Sequence, residues 1–215
     1  MTEQKISTLY QQQLAQIPDL TDKQKQILQA SLDLFSEQGF EATSTQQIAE
    51  RAGVSTGLVY KKFPNKEALL AAVLTPLFQT IQSVKDEFLT ETIVSSPKNQ
   101  NFEDFIRQIV HDRLTFILDN AQVLKLMVGQ LLFDEKLKEY VKSVFMTNLA
   151  EFIFPVFTKF KNEGKMVNLP NDMIFQLVLS TMAGYFGRML LDSQAPDLET
   201  EITVVTDFLQ KSLRP

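Results

Sequence analysis

The chain has no cysteine, no tryptophan and a single histidine, His111, among its 215 residues. Without cysteine it has no disulfide framework, no thiolate metal site and no cysteine nucleophile, so we expect a cytoplasmic location. A lone histidine leaves no familiar catalytic triad, and the sequence has neither a glycine-rich phosphate loop nor clustered metal ligands. These absences favour a protein that is not an enzyme and uses no metal or cofactor. A carboxylate-based enzyme is the remote alternative.

The sequence also predicts no secretory signal and no membrane-spanning segment. The N-terminus lacks the basic-then-apolar order of a signal peptide. The longest charge-free apolar stretch, Met173 to Gly187, is shorter than the roughly 20 residues that cross a bilayer. It therefore predicts a buried helix, and we expect no membrane association.

The net charge of −5 argues against a protein that binds nucleic acid along its whole surface. The segment from Leu20 to Lys66 is nevertheless slightly positive, because it contains six basic and five acidic residues. Three of these lysines, Lys61, Lys62 and Lys66, lie close together at the end of that segment. Any contact with DNA should therefore be local and confined to one end of the molecule.

A short helix is predicted to begin at Ser44, where Ser44 and Gln47 form a capping-box pattern. Ile48 and Ala49 then lie on one face, and Gly53 is placed to end the helix in a left-handed conformation. This segment is too short to form a core of its own.

A second short helix follows at once, with Ser55 as its predicted cap. Val59 and Phe63, four residues apart, give it one buried side. Five residues are left facing outward: Thr56, Gly57, Tyr60, Lys61 and Lys62. A helix, a tight turn and a second helix with exposed hydroxyl and basic groups are typical of a helix-turn-helix that binds DNA.

The rest of the chain also has helical periodicity, and no strand-like alternation appears, so the fold class is predicted to be all-α. We expect an N-terminal extension at 1–20, a three-helix DNA-binding domain at 21–66, and a helical ligand-binding and dimerisation domain at 67–215. Helix 65–89, capped by Asn65 and interrupted by Pro76, should connect the two domains. Beyond a polar loop at 92–101, helices are predicted at 102–118, 121–132, 134–162, 171–191 and 197–213.

The run GFEATSTQQIAERAGVSTGLVYKKFPNKEALL resembles the N-terminal DNA-binding domain of the TetR (tetracycline repressor) family of transcriptional regulators. The resemblance rests on Gly39-Phe40, Ser44, Ile48-Ala49, Ala52-Gly53-Val54-Ser55, Gly57, Tyr60, Phe63 and Lys66-Glu67-Ala68-Leu69. It covers about a quarter of the chain and is specific only as a set. Lys61-Lys62 departs from the family, many of whose members carry an aromatic residue or histidine beside the tyrosine, and the extension before Thr21 is unusually long.

The resemblance implies a second helix that lies in the major groove of a palindromic DNA operator. The residues implied for base edges are Gln46, Thr56, Gly57, Leu58, Lys61 and Lys62. Those implied for phosphates are Ser44, Thr45, Ser55, Tyr60 and Lys66. A homodimer through helices 172–191 and 198–213 is expected, which would place the two recognition helices about 34 Å apart.

The resemblance also implies that the protein is a repressor controlled by a small, often hydrophobic inducer. The inducer would bind among the middle helices and release the protein from its operator. The candidate contacts are Phe105, His111, Phe116, Met127, Phe145, Met146, Phe175, Met182 and Phe186. Arg107, Arg113 and Arg188 are candidates for orienting a polar or anionic group. The main alternative is a DNA-binding regulator without an inducer, controlled by a protein partner or by its abundance.

Overall fold

A computed structural model describes residues 6–88, 101–131, 149–191 and 197–215, together with residues 135, 138, 139 and 142. Within these ranges all regular secondary structure is helical, which confirms the all-α prediction. The helices are α1 (Ile6–Gln16), α2 (Asp22–Gln38), α3 (Thr45–Arg51), α4 (Thr56–Lys62), α5 (Lys66–Phe88), α6 (Phe102–Asp119), α7 (Ala121–Leu131), α8 (Phe154–Asn162), α9 (Asn171–Leu191) and α10 (Leu198–Leu213). A π-helical turn, Leu149–Ile153, leads directly into α8.

Helix ends follow local signals in the sequence. The Thr21 side chain and the Gln24 side chain form the predicted capping box before α2. Asn65 caps α5, since its Oδ1 accepts a 2.7 Å hydrogen bond from the Ala68 amide. Gly164 ends α8 at φ +66°. Most of the predicted helix 134–162 before residue 149, and nearly all of the predicted loop 92–101, lie outside the described residues.

The chain divides into two compact units, and the first consists of residues up to Asp86 together with Asp119–Gln130. The division differs from a boundary after Lys66, because α5 packs its apolar face inside the first unit. Its buried residues include Leu69, Val73 and Leu77. By length and composition, Lys66–Val84 is the one helical segment in the described ranges that could cross a membrane, and 44% of it is buried in the protein.

The N-terminal extension forms part of the first unit. Ile6, Tyr10 and Leu14, spaced by one helical turn, are almost completely buried. The Ile6 amide donates a 2.7 Å hydrogen bond to Asn120 Oδ1, just before α7. The extension is therefore a packed helix.

The second unit comprises Glu87–Leu118 and Leu131–Pro215. Its core joins α6, α8, α9 and α10, and the rings of Phe102 and Phe105 lie 5.6 and 5.3 Å from that of Phe160. The prediction that Met173 to Gly187 is a buried helix is only half right. Within this unit α9 buries one side through Ile174, while apolar residues on its other side are exposed.

Candidate nucleic-acid interface

Helix α3 starts at the predicted capping box. Ser44 Oγ accepts a 3.2 Å hydrogen bond from the Gln47 amide, and Gln47 Oε1 accepts a 2.8 Å bond from the Ser44 amide. Two of the amides that a helix start leaves unpaired are thereby satisfied. Ile48 and Ala49 are buried, so α3 is held against the unit by one face only.

The turn after α3 is a Schellman motif. Gly53 has φ +63°, its amide bonds to the Glu50 carbonyl at 3.2 Å, and the Val54 amide bonds to the Ala49 carbonyl at 3.0 Å. Glycine suits this position because side chains are disfavoured at positive φ. The turn fixes where the next helix starts.

Helix α4 is capped by Ser55, whose Oγ accepts a 3.3 Å hydrogen bond from the Leu58 amide. Val59 and Phe63 face the core, as predicted. Gly57, Tyr60, Lys61 and Lys62 are exposed, whereas Thr56 and Leu58 are half-buried. The second helix thus presents a small residue, an aromatic hydroxyl and two ammonium groups to solvent.

Side chains from α3 and α4 meet on this surface. The hydroxyls of Thr45 and Tyr60 lie 2.8 Å apart and share a hydrogen bond, which ties the start of α3 to the middle of α4. Gln46 Nε2 donates to Glu50 Oε1 at 3.0 Å, so its amide is oriented along α3. Candidate residues of both helices therefore contribute to one surface.

Two cations near the interface, Arg51 and Lys66, are bonded within the protein and in this differ from the two lysines of α4. Arg51 forms a two-bond ion pair with Glu37, with N–O distances of 3.2 and 3.1 Å, and this hydrogen bonding raises the pKa of the guanidinium. Among the residues that the structure describes, neither Lys61 nor Lys62 has such a partner. Both ammonium groups are exposed to solvent.

Lys66 is the second of these cations, and its ammonium group, expected at a phosphate, is hydrogen-bonded within the protein. Its Nζ donates to the carbonyl oxygens of Phe40, Glu41 and Thr43 at 2.9, 3.3 and 3.2 Å. An ammonium has three donors, so all are used inside the protein. Sequence reasoning missed this arrangement, although Gly39-Phe40 and Lys66 both belonged to the motif.

The predicted ligand contacts do not form one group. Phe105 and Met182 belong to the core of the second unit, and Phe175 packs against that core. Phe116 and Phe186 are half-buried in the same unit. Met127 belongs to the first unit, on α7, and Phe145 and Met146 lie outside the described residues.

His111 is also placed differently from a pocket residue, because its side chain is 52% exposed. Beside it lie Asp112, a buried carboxylate that sequence reasoning overlooked, and Arg113, which is partly buried. Burial lowers the pKa of Arg113 to about 10, against the opposing effect of the Asp112 carboxylate. The Arg113 guanidinium lies 5.2 Å from the Phe116 ring centre. Of the other candidate arginines, Arg107 is exposed and Arg188 pairs with Glu201.

An all-α chain with this helix-turn-helix and an outward-facing basic second helix belongs to the class of DNA-binding transcriptional regulators. Residues 27–73 match the model of a family described as "Bacterial regulatory proteins, tetR family". Residues 27–73 therefore form a DNA-binding domain of the TetR family.

Similar proteins agree with this assignment. The chain is 60% identical over 53 residues, 24% of each chain, to the HTH-type transcriptional regulator RutR of Escherichia coli K12. It is 29% identical over 127 residues to the nucleoid occlusion factor SlmA of Glaesserella parasuis, a match that covers 58% of this chain and 59% of that protein. The chain thus matches only part of the length of these curated relatives.

Solved structures share the fold over most of the chain. The fatty acid degradation regulator FadR from Bacillus halodurans has a TM-score of 0.63 at 19% identity, covering 91% of this chain and 98% of that one. A Saccharomonospora viridis protein in complex with choline, described as a transcriptional regulator, has a TM-score of 0.67 at 13% identity, with 88% and 96% covered. These likenesses concern the fold.

Proposed function

We propose that this chain is a dimeric repressor that binds a palindromic operator through α4 and leaves it when a small apolar molecule binds the second unit. The observation that carries the DNA-binding part is the intact helix-turn-helix, with the Schellman turn at Gly53 and the Thr45–Tyr60 hydrogen bond holding α3 and α4 in one surface.

The assignment of roles within this surface follows from side-chain chemistry. A threonine hydroxyl or methyl and a glutamine amide can distinguish base edges, so Thr56 and Gln46 are proposed as sequence-reading residues, together with Gly57 and Leu58. Ser44, Thr45, Ser55 and Tyr60 carry hydroxyl groups suited to phosphate oxygens. Lys61 and Lys62 are proposed for base edges and add attraction to DNA through their charge.

The dimer is proposed to form through α9 and α10. Met173 and Leu177 on α9 are 47% and 46% exposed, and Val204 and Phe208 on α10 are 53% and 55% exposed. Each pair is spaced by four residues, so each forms an apolar row on its helix. Ala183 and Gly184, which are exposed on α9, would allow a close approach of a second copy.

The ligand is proposed to be apolar, and it would bind near Phe105, Phe175 and Met182 in the second unit. Support for an apolar ligand comes from the phenylalanine-rich core of that unit, and the choline complex of a protein with the same fold supports only the binding of a small molecule. Release requires that the ligand prefer the form that does not bind DNA, since equal affinity for both forms shifts nothing. Control by a protein partner or by abundance is the alternative.

Selection from a randomised library of palindromic duplexes tests the DNA-binding part. We expect the wild type to enrich one palindrome, and Thr56→Ala to change the ranking of its variants by about 1–3 kcal/mol at the contacted base. Ser83→Ala, at an exposed position of α5 outside α3 and α4, serves as a control and should keep the ranking. If the wild type binds no palindrome more tightly than random duplex at moderate salt, the proposal fails.

A thermal-shift screen tests the ligand part. Saturated fatty acids of increasing chain length and choline are suitable probes, because they separate apolar from cationic recognition. A compound that raises the melting temperature should also lower operator affinity in the same concentration range. If no compound in a broad apolar and cationic library shifts the melting temperature, control without an inducer is favoured.

A further inference from the structure

The loop between α2 and α3 forms a binding site for a cation, and Lys66 occupies it. Three carbonyl oxygens, those of Phe40, Glu41 and Thr43, converge on the Lys66 Nζ within 3.3 Å. The ammonium also lies 4.3 Å from the centre of the Phe40 ring, within the range of a cation–π contact. We name this arrangement, Lys66 with the loop 40–43, the lysine clasp.

The clasp closes a loop that is also held by bonds of its own, since the Thr43 amide donates to the Phe40 carbonyl at 3.2 Å. Gly39 ends α2 at φ +87°, and the Thr43 hydroxyl donates to the Gly39 carbonyl at 2.8 Å. The clasped carbonyls follow directly after the C-terminus of α2, where the helix dipole favours a positive charge. Lysine suits this site because the three N–H donors of its ammonium diverge from one nitrogen toward the three carbonyls. The donors of arginine lie in one plane on several nitrogens and cannot converge in this way.

The two ends of the clasp belong to different parts of the DNA-binding surface. The loop leads directly into Ser44, which caps α3, and Lys66 is the first residue of α5, three residues after Phe63 at the end of α4. One side chain therefore fixes the start of α3 relative to the end of α4. The Thr45–Tyr60 hydrogen bond joins the same two helices on the exposed side.

We propose that Lys66 is a positioning residue for DNA recognition, which acts by holding α3 and α4 in register and makes no phosphate contact. The inference rests on the proposed DNA binding. It makes Lys66 different in kind from Lys61 and Lys62, although all three are lysines of one basic segment.

The test compares Lys66→Met, which keeps the apolar stem but removes the ammonium, with the double variant Lys61→Met/Lys62→Met. The probes are the palindromic duplex that the wild type selects and a random duplex of the same length. Affinity is measured over a series of salt concentrations, well below the melting temperature of each variant. Melting temperature and amide exchange of residues 44–47 are measured without DNA.

We expect Lys66→Met to lower the melting temperature by about 3 °C and to speed exchange at the start of α3. Affinity for the selected palindrome should fall about tenfold, with the salt slope and random-duplex affinity unchanged. The double variant should instead reduce the salt slope by about 1–2. Lys66→Arg should resemble Lys66→Met, because arginine cannot fill the clasp.

Two results would overturn the inference. A salt slope reduced by about 1 in Lys66→Met, with equal losses on both duplexes, would identify a phosphate contact. A lower melting temperature with unchanged palindrome affinity would make the clasp important for folding alone. Should the wild type select no palindrome, the proposed function fails, while the melting and exchange measurements still report whether the clasp holds α3.

Discussion

Gly53 and Gly57 lie four residues apart in the DNA-binding segment, but they are glycines for different reasons. Gly53 has φ +63°, and a Cβ placed there would meet no atom within 4 Å, so the backbone conformation alone opposes a side chain. Gly57 has no such φ, and a Cβ at this exposed position of α4 also meets nothing. Within the protein, nothing requires glycine at 57.

The pair predicts opposite effects of alanine on stability. Gly53→Ala should lower the free energy of unfolding by about 1–2 kcal/mol, because an L-residue is strained in the left-handed region. Gly57→Ala should raise it by about 0.5 kcal/mol through helix propensity, yet weaken operator binding if α4 approaches the bases closely at this point. Denaturant unfolding and gel-shift titration of both variants provide the measurements. A Gly57→Ala protein with unchanged affinity would contradict close approach.

At the scale of single elements, α1 connects several parts of the first unit. Tyr10 is buried, and its hydroxyl donates to the Val73 carbonyl of α5 at 3.3 Å. Val73 lies in the turn before Pro76, where proline removes one helical hydrogen bond and loosens the preceding carbonyls. At the first residue of α1, the Ile6 amide donates a hydrogen bond to the Asn120 side chain. The helix thus binds α5 within one turn of Pro76.

Alkaline unfolding tests this contact. Burial raises the pKa of Tyr10 above its ordinary value, with a smaller contribution from the charge of Asp33. The folded protein therefore keeps the phenol proton at a pH where the unfolded chain loses it. Since the unfolded state then binds fewer protons, stability is complete below about pH 10 and declines above it by up to about 1.4 kcal/mol per pH unit.

Tyr10→Phe should remove this part of the alkaline decline and cost about 1 kcal/mol at neutral pH through the lost hydrogen bond. Denaturant unfolding between neutral pH and pH 11 measures both effects. Ser7→Ala, on the same helix and without a titrating group, should keep the slope of the wild type. Equal alkaline slopes for Tyr10→Phe and the wild type would mean that the hydroxyl is not held in the interior.

The elements that the sequence predicted well are those fixed by neighbours in the chain. Capping boxes at Thr21 and Ser44 and the glycine turn at Gly53 act over three to six residues, so their patterns are visible directly. The lysine clasp joins residues 40–43 to residue 66, and the Ile6–Asn120 bond spans 114 positions. Such contacts depend on how helices pack, and a lysine in a basic segment gives no local sign of its partner.

At the scale of the whole molecule, the second unit leaves two apolar rows in solvent, Met173 with Leu177 on α9 and Val204 with Phe208 on α10. Periodicity revealed that these helices are amphipathic or apolar, but not which side the unit itself would bury. Exposed apolar rows on adjacent helices are typical of an interface, and a stable dimer would bury on the order of 1,200–2,000 Å² there. The dimer proposal can be tested at its most exposed residue.

Phe208→Glu should convert the protein to a monomer, because two charges would have to be buried opposite an apolar row on forming the dimer. The fold of the unit should be retained, because Phe208 is 55% exposed and contributes little to the core. Operator affinity should fall on the order of 100-fold, as one recognition helix no longer positions the second. Light scattering, circular dichroism and gel-shift titration measure the three effects.

Thr203→Glu supplies the matched control, because it adds the same charge one residue before Val204 at an exposed position that points about 100° away around the helix. It should remain a dimer with nearly normal affinity. If both variants become monomers, added charge on α10 is sufficient and the apolar row is not specifically required. If Phe208→Glu stays dimeric and binds the operator as the wild type does, the two copies associate through another surface. That other surface must then position the two recognition helices on DNA.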